Sequence, residues 1–329
     1  MQNDIFSITN EKDFSEACVS TFNKQYQEVE VYKKFVDYLN IHPAEVKAIH
    51  QIPFLPIEMF KQHQILSKHQ EATHYFQSSG TTQMLNRSRH WIADFSWYEE
   101  SIERSFKQFI GDPKDYVILG LLPNYSENTH SSLIYMVDFL MKQSGHPQNG
   151  YFLYNHSELY HQLKQILSEK KKVILFGVSF ALLDFLDFYQ TQNSLELVDL
   201  IMIETGGMKG RKKEMTKDEL LQILKNGFGC QSIFSEYSMT ELLSQAYSLG
   251  NNDYNCPPWM RILIRNIDDP FSYVEDGKNG AINIIDLANQ NSCAFIATQD
   301  LGKKRGSLFQ VLGRIDHSDV RGCSLLVAE

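Results

Sequence analysis

The residues best suited to chemistry lie in short stretches spread over roughly residues 75 to 323. Tyr75-Phe76-Gln77-Ser78-Ser79-Gly80-Thr81-Thr82 runs from a strand-like start into small hydroxyl residues around a glycine. Such a turn exposes backbone N–H groups and hydroxyls that can cradle phosphate oxygens. A helix-like stretch containing Trp91 and Trp97 is predicted to follow. Taken alone, a Ser/Gly/Thr cluster is more often an ordinary turn. Glu204-Thr205-Gly206-Gly207-Met208 directly follows the predicted strand Leu197 to Ile203, at the strand edge where α/β proteins bind ligands. Phe234-Ser235-Glu236-Tyr237-Ser238-Met239-Thr240-Glu241 places an aromatic ring, a hydroxyl and a carboxylate together after another short strand. Ala297-Thr298-Gln299-Asp300, Gly313-Arg314-Ile315-Asp316 and Arg321-Gly322-Cys323 complete the set.

These stretches need a scaffold, and the hydrophobic pattern supplies one. Phe14, Cys18, Phe22, Tyr26, Val29, Tyr32, Phe35 and Leu39 recur at spacings of three or four, which predicts an amphipathic helix broken once. Ile52-Pro53-Phe54-Leu55-Pro56-Ile57 predicts an extended connector, since residues before proline avoid the helix. Strands are then predicted at Tyr116 to Leu122, Tyr151 to Tyr154, Lys172 to Gly177 and Leu197 to Glu204. They alternate with helices at Ser131 to Lys142, Ser157 to Lys170, Ala181 to Tyr189 and Lys217 to Asn226, the last capped by Gly227. That alternation implies parallel sheet covered by helices. After about Asp268 the segments Ala281 to Leu287, Cys293 to Thr298 and Leu308 to Leu312 read as a mainly antiparallel region. The fold class is therefore α/β, with a β-rich C-terminal part.

Composition narrows the function. The net charge is −9, and no basic run carries interleaved aromatics, which argues against nucleic acid as a partner. The longest apolar runs are far too short to span a bilayer, so no membrane insertion is expected. Five scattered cysteines without metal spacing, behind an N-terminus that does not read as a signal peptide, predict reduced thiols in the cytoplasm.

Read together and in order, the stretches resemble the adenylate-forming superfamily of acyl-CoA synthetases, nonribosomal adenylation domains and luciferases. Ser78 to Thr82 matches its Ser-Ser-Gly-Thr-Thr phosphate loop, and Gly206-Gly207-Met208 the segment lying along adenine. Tyr237 to Glu241 matches Tyr-Gly-x-Thr-Glu, and Gly313 to Asp316 the hinge motif Gly-Arg-x-Asp. Within the superfamily the chain is most similar to the acyl-protein synthetase (LuxE) family. The residues that carry this are Phe22-Asn23-Lys24-Gln25-Tyr26, Ile52 to Pro56, Phe60-Lys61 and the ending Arg321-Gly322-Cys323-Ser324-Leu325.

The resemblance implies an ATP- and Mg²⁺-dependent enzyme that activates a fatty or other apolar carboxylic acid as acyl-AMP. The acyl group would pass to Cys323, an acyl carrier protein or coenzyme A, with a reductase subunit as a further partner. Ser78, Ser79, Gly80, Thr81 and Thr82 would hold phosphates together with Thr240, and Gly206, Gly207 and Met208 would lie along adenine. Tyr237 would stack on adenine, Asp300 would accept the ribose hydroxyls, and Arg314 would add positive charge near ribose or phosphate. Glu241 would anchor Mg²⁺, since hard cations take carboxylate oxygens. Arg321 could favour the Cys323 thiolate, although a cysteine there is equally a small buried residue of a final strand. His130 could line the acyl pocket or serve structure. The resemblance divides the chain into a core of residues 1–313, with a helical entry at 1–60 and a β-rich part at 268–313, and a hinge-like segment and tail at 314–329.

Some positions depart from the pattern. The phosphate loop continues Gln83-Met84-Leu85-Asn86 in place of Gly-x-Pro-Lys, with Arg87 and Arg89 nearby. Ser238 and Gln299 stand where glycines are usual. A core lacking the lysine-bearing C-terminal domain is expected, with three alternatives open: Lys209, Arg211 or Arg321 supplies the charge, a partner subunit supplies it, or adenylation is slow. Two further readings stay open: an acyltransferase using a preformed thioester with Cys323 as relay, and a non-catalytic nucleotide- or acyl-binding regulatory subunit.

Overall fold

The computed structural model describes residues 4–79, 87–206 and 215–315. Asn10 caps α1 (Glu11–Glu28) by accepting from the Asp13 N–H at 3.0 Å, and Glu11 and Asp13 place negative charge in the first turn. Val29 is extended and separates α1 from α2 (Glu30–Tyr38), the single break the spacing predicts. Gln25 ties α1 to the far end of the chain: its amide donates to the Asn289 carbonyl at 2.6 Å and accepts from the Ala294 N–H at 2.9 Å. The proline-rich connector is extended, and its strand β1 (Leu55–Pro56) leads into a short helix α3 (Met59–Gln62).

Next comes a two-stranded hairpin of β2 (His74–Gln77) and β3 (Arg89–Ile92), followed by α4 (Ser96–Phe109). Trp91 therefore lies on a strand, correcting the expectation of a helix directly after the Ser/Gly/Thr turn. The α/β alternation follows as β4 (Val117–Leu121), α5 (Ser132–Ser144), β5 (Gly150–Tyr151), α6 (His156–Ser168), β6 (Val173–Val178), α7 (Ser179–Tyr189), β7 (Leu200–Thr205), α8 (Lys217–Phe228) and β8 (Phe234–Tyr237). Every residue of β4 and β6 is buried, as strands covered on both faces require. The C-cap of α8 is Gly229, at φ +68°, rather than Gly227. Gly227 lies inside the helix, where a Cβ would come within 2.6 Å of Leu186 Cδ1, so it serves the close approach of α8 to α7.

The antiparallel strands begin at β9 (Ala246–Ser248) and continue as β10 (Tyr254–Asn255), β11 (Met260–Arg265), β12 (Asn279–Asp286), β13 (Phe295–Arg305) and β14 (Leu308–Arg314). All except the hairpin join one sheet in the order β11-β12-β13-β14-β10-β9-β8-β7-β6-β4-β5, with β1 added to β13. Strands β4 to β8 pair in parallel, and β8 turns the sheet antiparallel by pairing with β9. This mixed α/β architecture carries the motifs at the ends of β7, β8 and β14 and in the middle of β13.

Candidate functional site

Ser78 and Ser79 stand at the end of β2, where the hairpin mouth is closed by two bonds. The Ser78 N–H donates to the Ser88 carbonyl, and the Ser88 N–H donates to Ser78 Oγ, both at 3.1 Å. Gly80, Thr81 and Thr82 lie outside the described residues. From the hairpin, buried His90 reaches across to the segment after β8. Its Nδ1 sits 3.0 Å from the Thr240 carbonyl, which requires the tautomer with the proton on Nδ1. The Ser88 hydroxyl also acts on the Glu241 carboxylate, favouring its charged form. Two stretches about 150 residues apart are thereby locked together.

Glu241 is buried, which pushes its carboxyl above the usual range while the Ser88 hydroxyl pulls it back. Its backbone carbonyl accepts from the Asn289 amide at 2.9 Å. Just beyond it, Asp286 accepts from the Leu243 N–H at 2.7 Å, the Ser244 N–H at 3.0 Å and the Ser244 hydroxyl at 2.5 Å. The Thr240–Glu241 corner is therefore held from both sides. Among the described residues no three His, Cys, Asp or Glu side chains gather as a metal cage. One buried carboxylate nevertheless suits Mg²⁺, which keeps several waters and takes its other ligands from substrate phosphates.

A second group forms around Tyr237. Its hydroxyl donates to Asp300 Oδ2 at 2.8 Å, and Arg314 Nε lies 3.6 Å from Asp300 Oδ1. Asp300 and Arg314 face each other across β13 and β14, beside a register shift at Leu301/Gly302. Burial raises the Asp300 carboxyl, against the pull of the Tyr237 hydroxyl and the Arg314 charge. Burial, with Asp300 beside it, also holds the Tyr237 phenol well above its ordinary value. The Tyr237 ring packs on Tyr254 and Phe309, with centroids 6.0 and 5.6 Å away. The Arg314 side chain is 87% exposed, free to turn toward an anionic ligand. Gly206 follows β7 with φ +79°, a backbone that glycine adopts without strain. Gly207, Met208 and Cys323 lie outside the described residues.

His130 sits on the other flank of the hairpin. Its Nδ1 donates to the Tyr75 carbonyl at 2.8 Å, its carbonyl accepts from the Gln77 N–H at 2.8 Å, and its ring stacks on Tyr75 at 4.3 Å. These contacts tie β2 to the start of α5. An open groove of about 660 Å³ at the start of α6, lined by Tyr154, Asn155, His156, Ser157, Glu158 and His161, contains none of the residues above.

Several members of the arrangement carry no local sequence signal. His90, Ser88 and Asp286 find their partners far along the chain, and only the fold reveals them. Glu236 is another: it is buried beside Tyr237, and its Oε2 accepts from the Thr205 hydroxyl. Burial pushes its carboxyl up to about 6, with the Ser238 and Thr205 hydroxyls opposing the shift.

Known structures share this architecture. An open form of 2-hydroxyisobutyryl-CoA ligase, in complex with 2-HIB-AMP and CoA, superposes with a TM-score of 0.72 at 11% identity, covering 93% of this chain and 70% of that one. ATP-bound MatB from Rhodopseudomonas palustris gives a TM-score of 0.54 at 15% identity, covering 74% and 48% of the two chains. The fold is that of the adenylate-forming ligases. No curated protein sequence matches the chain. The acyl-protein synthetase, LuxE, family profile matches residues 5–329, so the chain belongs to that family of AMP-forming acid–thiol ligases.

Proposed function

We propose that the protein activates a fatty or other apolar carboxylic acid with ATP and transfers the acyl group to a thiol as a thioester. The observation that supports this reading is the bond of His90 to the Thr240 carbonyl, which ties the hairpin strand following the Ser78–Thr82 motif to the corner that holds the buried Glu241 carboxylate. The Tyr237–Asp300–Arg314 group then suits adenine, ribose and phosphate in that order. In the first step a carboxylate oxygen of the acid attacks the α-phosphorus, and the bond to pyrophosphate breaks. Negative charge grows on the phosphoryl oxygens, where the donors of the Ser78–Thr82 motif, Thr240 and Arg314 would meet it. Magnesium held through Glu241 would neutralise part of that charge. In the second step a thiolate attacks the acyl carbonyl carbon of the mixed anhydride, and AMP leaves.

Cys323 is the thiol we assign as first acceptor, with a carrier protein, CoA or a reductase subunit as the onward partner. Residues 1–313 act as the core, and 314–329 as the hinge and tail that deliver it. No helix among the described residues is long and apolar enough to cross a membrane. The test is acid-dependent exchange of labelled pyrophosphate into ATP, followed by intact-protein mass with Mg-ATP for wild type and Cys323→Ala. Exchange with at least one acid, and an ATP-requiring adduct lost in the variant, is expected. A folded sample that exchanges with no acid of any chain length would refute activation. Exchange without an adduct would refute Cys323 as the acceptor.

A further inference from the structure

A buried ion pair lies beneath the nucleotide end of the sheet and belongs to none of the groups above. Glu204 on β7, fully buried, accepts from the Ser179 hydroxyl at the start of α7 and from the Lys217 ammonium at the start of α8. The Lys217 charge also acts on the hydroxyl of Tyr254 on β10, opposing the rise that burial gives that phenol. The Tyr254 ring in turn packs on Tyr237 and, at 5.3 Å, on Phe309. The start of α8 is itself fixed, since Thr216 and Glu219 cap it reciprocally with bonds of 3.2 and 2.8 Å. Burial works against the Lys217 charge, but the Glu204 carboxylate more than reverses this, so the amine stays protonated. A buried pair of this kind adds little net stability over apolar groups of the same shape, and geometry is what it supplies.

That geometry is specific. The pair joins position 204 to position 217, across the stretch that contains Gly206, and continues through Tyr254 to the Tyr237 ring. We propose that Lys217 is a positioning residue for the nucleotide, setting the end of β7 that carries Gly206 against Tyr237 through its ion pair with Glu204 and its charge beside the Tyr254 hydroxyl. The proposal rests on the reading of Gly206, Tyr237 and Asp300 as the nucleotide face.

The test is ATP–pyrophosphate exchange, with KM for ATP and KM for the acid measured separately, alongside thermal melting. Lys217→Met alone strands a buried carboxylate and risks misfolding, so the deciding variants are the double Glu204→Gln/Lys217→Met and Tyr254→Phe. The double variant removes both charges. Tyr254→Phe keeps the ion pair and cuts only its link toward Tyr237. Both are expected to stay folded and to raise the ATP KM, the double by about tenfold, while the acid KM and kcat hold. Asp300→Asn is the control for the underlying reading. If Asp300→Asn leaves the ATP KM unchanged, the nucleotide-face reading falls. If Asp300→Asn raises it and the folded double variant does not, the positioning role alone falls. Equal rises in the ATP and acid KM values would reduce the pair to general structure and overturn the proposal, and an unchanged Tyr254→Phe would remove the route to Tyr237.

Discussion

His90 makes the joint between hairpin and Thr240 sensitive to acid, and the size of the effect follows from its surroundings. The ring is 1% exposed, edge-on to Phe60 at 5.8 Å, with Nδ1 on the Thr240 carbonyl. Burial lowers its pKa from the ordinary 6.5 to about 4, although the bond to Thr240 favours the charged form. The folded protein thus resists a proton that the unfolded chain accepts. Stability from this group is complete above pH 6.5 and is lost as pH falls toward about 4. At about 1.4 kcal/mol for each pH unit, the interval is worth about 3 kcal/mol, a large part of the ~5–15 kcal/mol of a typical domain. His90→Asn is the informative variant, because its amide can still donate to Thr240 but cannot titrate. Urea unfolding of wild type and variant, followed by tryptophan fluorescence between about pH 7 and pH 4.5, isolates the His90 contribution as the difference between the curves. Wild type should lead at neutral pH, where its ring fills the site, and lose that lead steadily as the pH falls. Parallel curves would refute the argument, since they would mean that His90 protonates in the folded state as easily as in the unfolded.

Two further substitutions test the site from other directions. Glu236 works in the opposite sense to His90. Its folded pKa of about 6 lies above the ordinary 4.5, so its contribution is present below pH 4.5 and lost as pH rises through 6. Glu236→Gln should therefore stabilise the protein by about 2 kcal/mol above neutral pH and by little at pH 4.5; equal melting shifts at both pH values would contradict this. Among the described residues the Cβ of Gly206→Ala would meet only Val178 Cγ1, at 3.8 Å, but φ +79° disfavours any side chain. It should cost about 1 kcal/mol or more in unfolding free energy and raise the ATP KM. An unchanged melting midpoint would show that the backbone relaxes.

How much of this was legible in the sequence depends on whether the signal was local. The break in the N-terminal helix, the extended prolines and the fully apolar strands β4 and β6 all follow from near neighbours, and each was readable. The strand β3 was not. Arg89-His90-Trp91-Ile92 is only four residues long, and the two tryptophans at 91 and 97 mimic a helical stripe although one belongs to β3 and the other to α4. Gly227 and Gly229 compete for one cap, and the choice turns on which glycine must clear Leu186, a contact between helices that no local rule contains. The motif residues could be named because their types announce chemistry. Their supports could not, because a buried histidine or an Asp286 receiving four backbone and hydroxyl donors reads in sequence as any polar residue.

The contact between Tyr237 and Asp300 shows what the fold adds beyond the motifs. Tyr237 lies at the end of β8 and Asp300 on β13, and the sheet order places β9, β10 and β14 between them. Four strand spacings of about 4.8 Å would separate them by about 19 Å in a flat sheet. The observed 2.8 Å bond requires the sheet to curl until its antiparallel half faces the end of its parallel half. The means are visible at the fold line. β9 and β10 are only three and two residues long, so few ladder bonds resist the bend. The register shift beside Asp300 adds local twist, and at Gly302 a Cβ would stand 2.6 Å from the Gln310 carbonyl. Tyr254 on β10 and Phe309 on β14 stack inside the curve, the same rings on which Tyr237 rests. The proposed nucleotide face is therefore a product of curvature: short strands and a register shift bring together two motifs that sequence order and sheet order both keep apart.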